Sequence, residues 1–132
     1  MTKQQEINVL LVDDELDFLQ ATSPPLTRRG FNVIRAENGV EALKILETIE
    51  TDVVVLDMKM PGLDGETVFQ RIKDSWPTLP VVILTGHGTV QQAFEISRDG
   101  VFEYLTKPCS IDEMAETLRR ATKTRQNARG PR

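Results

Sequence analysis

Residues Val53 to Gly62 read VVVLDMKMPG, a run of four apolar residues that ends in an aspartate. A short, continuous, β-branched run suits a strand covered on both faces. Burying an unpaired carboxylate is costly, so Asp57 needs a partner, an altered protonation state or an opening to water. Something is expected to meet it there.

Working outward, four more short apolar, mostly β-branched runs stand out, INVLLV (7–12), FNVIRA (31–36), VVILT (81–85) and VFEYLT (101–106), and three of the five, VVVL (53–56) included, are nearly continuous. The segments between them carry apolar residues at helical spacing. Ala42, Ile45, Leu46 and Ile49 form one stripe, Val90, Ala93, Phe94 and Ser97 a second, and Ile111, Met114, Leu118 and Ala121 a third. Asn38 suits an N-cap of the second helix and Asp64 of the third, while Ser110 and Glu113 have capping-box spacing at the last. Gly30 and Gly100 follow the ends of the first and fourth helices, where a left-handed residue fits. The order is strand then helix, five times over.

Such alternation predicts an α/β domain with a parallel sheet and helices on both faces. In open sheets of this kind the ligand site lies beyond the carboxyl ends of the strands, where strand order reverses. The residues ending the strands are Asp13 and Asp14, then Asp57, then Thr85, then Thr106 and Lys107. Pro24 and Pro25 fall inside the first helix, and Ser23 as a fresh N-cap with Pro24 at the first helical position would give a kinked or two-piece helix.

At 132 residues the chain is expected to form one domain without staples. All 20 acidic residues precede Arg119, whereas 6 of the 16 basic ones lie from Arg119 onward, so residues 1–118 carry a net charge of -10. An acidic body argues against direct nucleic-acid binding by this domain and suits divalent cations or basic protein surfaces. The divisions expected are an extension over residues 1–5, a body over 6–120, and a basic tail or linker start over 121–132. The lone Cys109 fits a reducing compartment. No secretory signal and no apolar run near the roughly 20 residues of a membrane span are present, which predicts a soluble, cytoplasmic protein.

Three carboxylates at one sheet edge repel each other unless a cation sits among them. A hard, oxygen-ligated ion such as Mg²⁺, with Mn²⁺ as a substitute, answers this through Asp13, Asp14, Asp57 and the backbone carbonyl of Lys59. A phosphoryl group completes the set. Asp57 can attack phosphorus, the Lys107 ammonium can balance the phosphoryl charge, the Thr85 hydroxyl can donate to an oxygen, and Gly86 leaves room for its approach.

LLVDD (10–14), VVVLDMKMPGLDG (53–65), VVILTGHG (81–88) and YLTKP (104–108), in this order and spacing, resemble the receiver domain of two-component response regulators over about residues 6–120. TGHG is similar to receivers of the nitrogen-regulation type. The resemblance implies a flavodoxin-like sheet of strand order 2-1-3-4-5. It also implies that Asp57 is the phosphoacceptor, that Asp13, Asp14 and the Lys59 carbonyl organise Mg²⁺, and that Thr85 and Lys107 contact the phosphoryl group. The implied switch moves Thr85 toward the phosphoryl group and turns Tyr104 inward. A cis peptide before Pro108 and a histidine kinase or phosphotransfer protein as donor are implied too, with a downstream protein target or a separate output domain; dimerisation on phosphorylation is compatible with the sequence, which chooses no face for it. Val101, Cys109 and the paired prolines depart from the family's usual residues without touching the acidic pocket.

Blander readings stand beside these. Asp13 and Asp14 can cap the helix they precede, Thr85 is an ordinary strand residue, and His87 at the pocket rim can be a plain loop residue. Two other functions compete with a non-enzymatic switch: an interaction module that is never phosphorylated, and a Mg²⁺-dependent aspartyl phosphatase. The phosphatases carry a second aspartate two residues after the nucleophile, where this chain has Lys59.

Overall fold

The computed structural model describes residues 6–59, 65–86 and 100–129. Five parallel strands, β1 (Ile7–Val12), β2 (Phe31–Ala36), β3 (Val53–Asp57), β4 (Val81–Thr85) and β5 (Glu103–Thr106), form one sheet of order β2-β1-β3-β4-β5. Four helices are described: α1 (Leu16–Arg28), α2 (Gly39–Thr48), α3 (Gly65–Ser75) and α4 (Ile111–Arg129). The expected stripe at Val90, Ala93, Phe94 and Ser97 lies outside the described residues, as do Asp64 and His87.

The alternation of side chains along each strand explains the continuous apolar runs. Leu10, Val12, Val54, Leu56, Val81 and Ile83 face Ala42 and Leu46 of α2 and Val68, Phe69 and Ile72 of α3. Their neighbours Val9, Leu11, Val53, Val55, Val82 and Leu84 face Leu19 and Leu26 of α1 and Met114, Leu118 and Ala121 of α4. With both faces covered, neither can be polar, and the period of two vanishes from the sequence. Of the α2 stripe, Ile49 falls outside the core at 39 % exposure, because the helix ends at Thr48 and the chain turns extended there.

Capping is local and specific. Glu41 N–H donates to Asn38 Oδ1 at 2.8 Å, and Glu113 N–H donates to Ser110 Oγ at 3.0 Å. Gly30 closes α1 at φ 96°, in the left-handed region.

Three local expectations meet a different structure. Helix α1 is one continuous helix through Pro24 and Pro25, and Ser23 does not start a second piece. Its hydroxyl donates back to the Leu19 carbonyl at 2.7 Å, while Leu19, Thr22 and Leu26 stay buried, so tertiary packing overrides the local cost of the prolines. Strand β5 begins at Glu103, two residues later than its apolar run, and Val101 packs half-buried against the α2–α3 side of the core. The basic segment beyond residue 120 enters as helix: α4 continues to Arg129, Ala121 and Thr122 are buried, and Arg125 Nη1 donates to the Thr51 carbonyl.

Candidate functional site: an acidic pocket at the carboxyl edge of the sheet

Strand order reverses between β1 and β3, and the acids sit at the ends of those two strands. Asp13 follows β1, with its N–H donating to the Ala36 carbonyl at 3.0 Å, and Asp57 is the last residue of β3. Both are buried, Asp13 at 0 % and Asp57 at 6 % exposure, while Asp14 faces solvent. Oxygens of the three carboxylates lie within 4.8 Å of one another.

Backbone donors hold two of these groups. Glu15 N–H donates to Asp13 Oδ1 at 2.9 Å, and Lys59 N–H donates to Asp57 Oδ1 at 3.2 Å. The turn that carries Lys59 is cramped, since a Cβ on Gly65 would come within 2.7 Å of Met58 Cα. Gly65 therefore lets α3 start directly against the backbone that follows Asp57, a requirement visible in the sequence only as one more glycine.

Parallel register brings the remaining strand ends alongside. Asp57 pairs with Leu84, so Thr85 lies one residue further along β4, and Thr85 pairs with Thr106 of β5. Lys107 N–H donates to the Thr85 carbonyl at 2.8 Å, and the Lys107–Pro108 peptide bond is cis. Lys107 Nζ lies 2.7 Å from Asp13 Oδ2 and 3.9 Å from Asp57 Oδ2. An added Cβ at Gly86 meets no atom within 4 Å among the described residues. Tyr104 is half-buried, paired in register with Ile83 and packed against the α2–α3 side of the core.

The electrostatics follow from this crowding. Burial, reinforced by Asp13 and Asp14 and opposed by the Lys59 N–H and Lys107, raises the Asp57 carboxyl to about 6. Lys107 is raised as well: burial alone would lower it, but the carboxylates of Asp13 and Glu15 outweigh that. Three clustered oxygen ligands with one proton-hungry member suit a hard divalent cation, and the donor set contains no nitrogen or sulfur.

Two neighbours of Lys107 were not legible as site residues. Glu15 Oε1 lies 2.5 Å from Nζ, and the Phe18 ring centroid lies 4.3 Å from it. An acid after Asp13 and Asp14 was the only sequence signal, and it reads equally as a helix start. Cys109 is half-buried, and burial pushes its thiol up, away from the reactive thiolate form.

The sequence model of the response regulator receiver domain family matches residues 9–119. The chain belongs to this family. It is 37 % identical over 111 residues to the transcriptional regulatory protein GlrR of Escherichia coli K12, covering 84 % of this chain and 25 % of the relative. To the DNA-binding transcriptional regulator NtrC of the same organism it is 36 % identical over 124 residues, or 94 % of this chain and 26 % of the relative. This receiver chain thus spans about a quarter of the length of these curated relatives. Among solved structures, a receiver domain protein from Clostridium thermocellum superposes with TM-score 0.88 at 34 % identity, covering 92 % of this chain and 98 % of that one. NtrX from Brucella abortus, solved with ADP, superposes with TM-score 0.89 at 30 % identity over 95 % of this chain and 29 % of its own. The similarity to the nitrogen-regulation type extends over the whole fold.

Proposed function

We infer that this receiver is a phosphoryl-accepting switch whose acceptor is Asp57. The observation that carries the reading is the placement of one buried carboxylate at the end of the central strand, with Oδ1 held by Lys59 N–H and Oδ2 facing Lys107. At pH 7 a carboxyl raised to about 6 is mostly ionised and keeps a nucleophilic oxygen. That oxygen attacks the phosphorus of a phosphoimidazole on a partner histidine kinase or phosphotransfer protein. The O–P bond forms as the N–P bond breaks, its electron pair stays on the imidazole nitrogen, and that nitrogen takes up a proton.

Asp13, Asp14, Asp57 and the Lys59 carbonyl would hold Mg²⁺, or Mn²⁺ in its place, which would supply positive charge to the phosphoryl oxygens. Lys107 neutralises the phosphoryl group from the other side, and the Thr85 hydroxyl donates to one of its oxygens through the space beside Gly86. The draw on Thr85 at the end of β4 and a turn of Tyr104 on β5 then report the modification to a protein partner. In this reading the domain works in the cytoplasm as a switch rather than a turnover enzyme. The output lies in a separate effector domain or partner, as the length of the related transcriptional regulators suggests, and phosphorylation can also drive dimerisation.

The test is intact-mass spectrometry after incubation with a small phosphodonor and Mg²⁺. One labile phosphoryl adduct is expected in the wild type and none in Asp57→Asn or without Mg²⁺. An unmodified wild type that still binds Mg²⁺ would replace the switch with an unphosphorylated interaction module.

A further inference from the structure

Lys107 is gripped from a side the phosphoryl chemistry does not call for. Its Nζ is closest to Glu15 Oε1, at 2.5 Å, and stands 3.9 Å from Asp57 Oδ2, beyond hydrogen-bonding distance. The Phe18 ring lies against the same ammonium at 4.3 Å. Glu15 and Phe18 both belong to the start of α1, and the Glu15 side chain is 65 % exposed, so this grip holds Lys107 from the solvent side of the pocket while Asp13 Oδ2, at 2.7 Å, faces it from the buried side.

A second observation is independent of that contact. Glu15 occupies the N-cap position of α1 with extended backbone angles, a position that short Ser, Thr, Asp or Asn side chains cap and a longer glutamate leaves free to reach elsewhere. The Glu15 side chain makes no capping hydrogen bond. Its carboxylate accepts instead from the Lys107 ammonium.

We propose that Glu15 is a positioning residue, a carboxylate latch that, with Phe18, keeps Lys107 at the rim until a phosphoryl group on Asp57 replaces it as the partner of the ammonium. The proposal rests on the reading of Asp57 as phosphoacceptor. The ammonium donates a hydrogen bond to Glu15 Oε1, whereas Asp13 Oδ2 at 2.7 Å is an ion-pair partner that accepts no hydrogen bond. A phosphoryl group adds anionic oxygens at the buried side, so the exchange is favourable, but the lost contact with Glu15 is subtracted from it. Glu15 thereby lowers the affinity of the pocket for a phosphoryl group and ties the first turn of α1 to the state of the pocket.

The test uses the whole chain and two readouts. In the metal-free protein the Lys107 ammonium is followed by ¹⁵N NMR. Its exchange with water is expected to quicken in Glu15→Gln and to hold in Asp17→Asn, which removes the same charge from an exposed position in the first turn of α1. An unchanged Lys107 signal in Glu15→Gln overturns the latch. The second readout is binding of beryllofluoride, a phosphoryl mimic, with Mg²⁺. Glu15→Gln is expected to bind it about two- to fivefold more tightly than wild type, the scale of one exposed ion pair, with a smaller shift in Asp17→Asn. Equal shifts in the two variants, or no gain in Glu15→Gln, leave only the general charge of the pocket and overturn the latch. A wild type that takes no phosphoryl group from a small donor removes the phosphoacceptor reading and the exchange with it. One that does, beside a Glu15→Gln variant that fails both readouts, removes the latch alone.

Discussion

The two ends of the sheet are built on opposite electrostatic principles. At the amino edge, Asn8 N–H donates to Asp52 Oδ2 at 2.8 Å, Asn8 Nδ2 to the Glu50 carbonyl at 2.7 Å, and Asn32 Nδ2 to Asn8 Oδ1 at 3.0 Å. Arg125 joins this network from α4 through the Thr51 carbonyl, with Asp52 Oδ1 at 3.8 Å. Donors and acceptors alternate there, and the edge ties β1, β2, β3 and α4 together. At the carboxyl edge, Asp13, Asp14 and Asp57 crowd within 4.8 Å, and burial with this repulsion raises Asp57 to about 6. The first arrangement stabilises the fold; the second keeps an unfavourable cluster of like charges, as sites that act on a ligand commonly do.

The sharpest way to break the contrast is at its centre. Asp57→Asn is expected to lose phosphoryl uptake entirely by intact mass, and Lys107→Met to slow it by about tenfold or more, because one charge that balances the transition state is gone. Neither change should unfold the protein. At the amino edge the outcomes reverse: Arg125→Met is expected to cost about 1–3 kcal/mol in urea denaturation, leaving the Thr51 carbonyl and Asp52 short of a partner, with phosphoryl uptake per folded molecule unchanged. Loss of uptake in folded Arg125→Met would show that the two ends are coupled.

A smaller effect tests whether the acidic cluster is destabilising. Folding raises the Asp57 carboxyl from 3.8 to about 6, so between those values the folded chain binds more protons than the unfolded one, and stability falls as pH rises through this window. Without divalent cations, Asp57→Asn is expected to be more stable than wild type by up to about 3 kcal/mol at pH 7.5, with the gap closing toward pH 4. Thermal melts across pH decide it, and a gap that does not vary with pH contradicts the account. Smallest of all, Asp112→Asn on the flank removes the ion pair with Arg29, whose partners are 37 % and 84 % exposed, and should change stability by no more than about 0.5 kcal/mol.

Much of this was legible in the sequence, because strands covered on both faces leave continuous apolar runs and parallel strands place their carboxyl ends on one edge. Runs and caps alone located β1, β2 and β4 and the starts of α2 and α4. The strand-end rule singled out Asp13, Asp14, Asp57, Thr85 and Lys107 before any geometry was known. What the sequence could not carry was whatever depends on two segments meeting. Pro24 and Pro25 argue locally for a kinked or two-piece helix, yet α1 runs through them as one piece with Leu19, Thr22 and Leu26 buried. Arg125 reads as part of a basic tail until the length of α4 delivers it to Thr51. Glu15 reads as a helix start until Lys107, 92 residues away, meets its carboxylate. Periodicity and strand-end chemistry are properties of single segments and survive in one dimension; which charge faces which is set by the packing of α1 and α4 against the sheet, and that exists only in three.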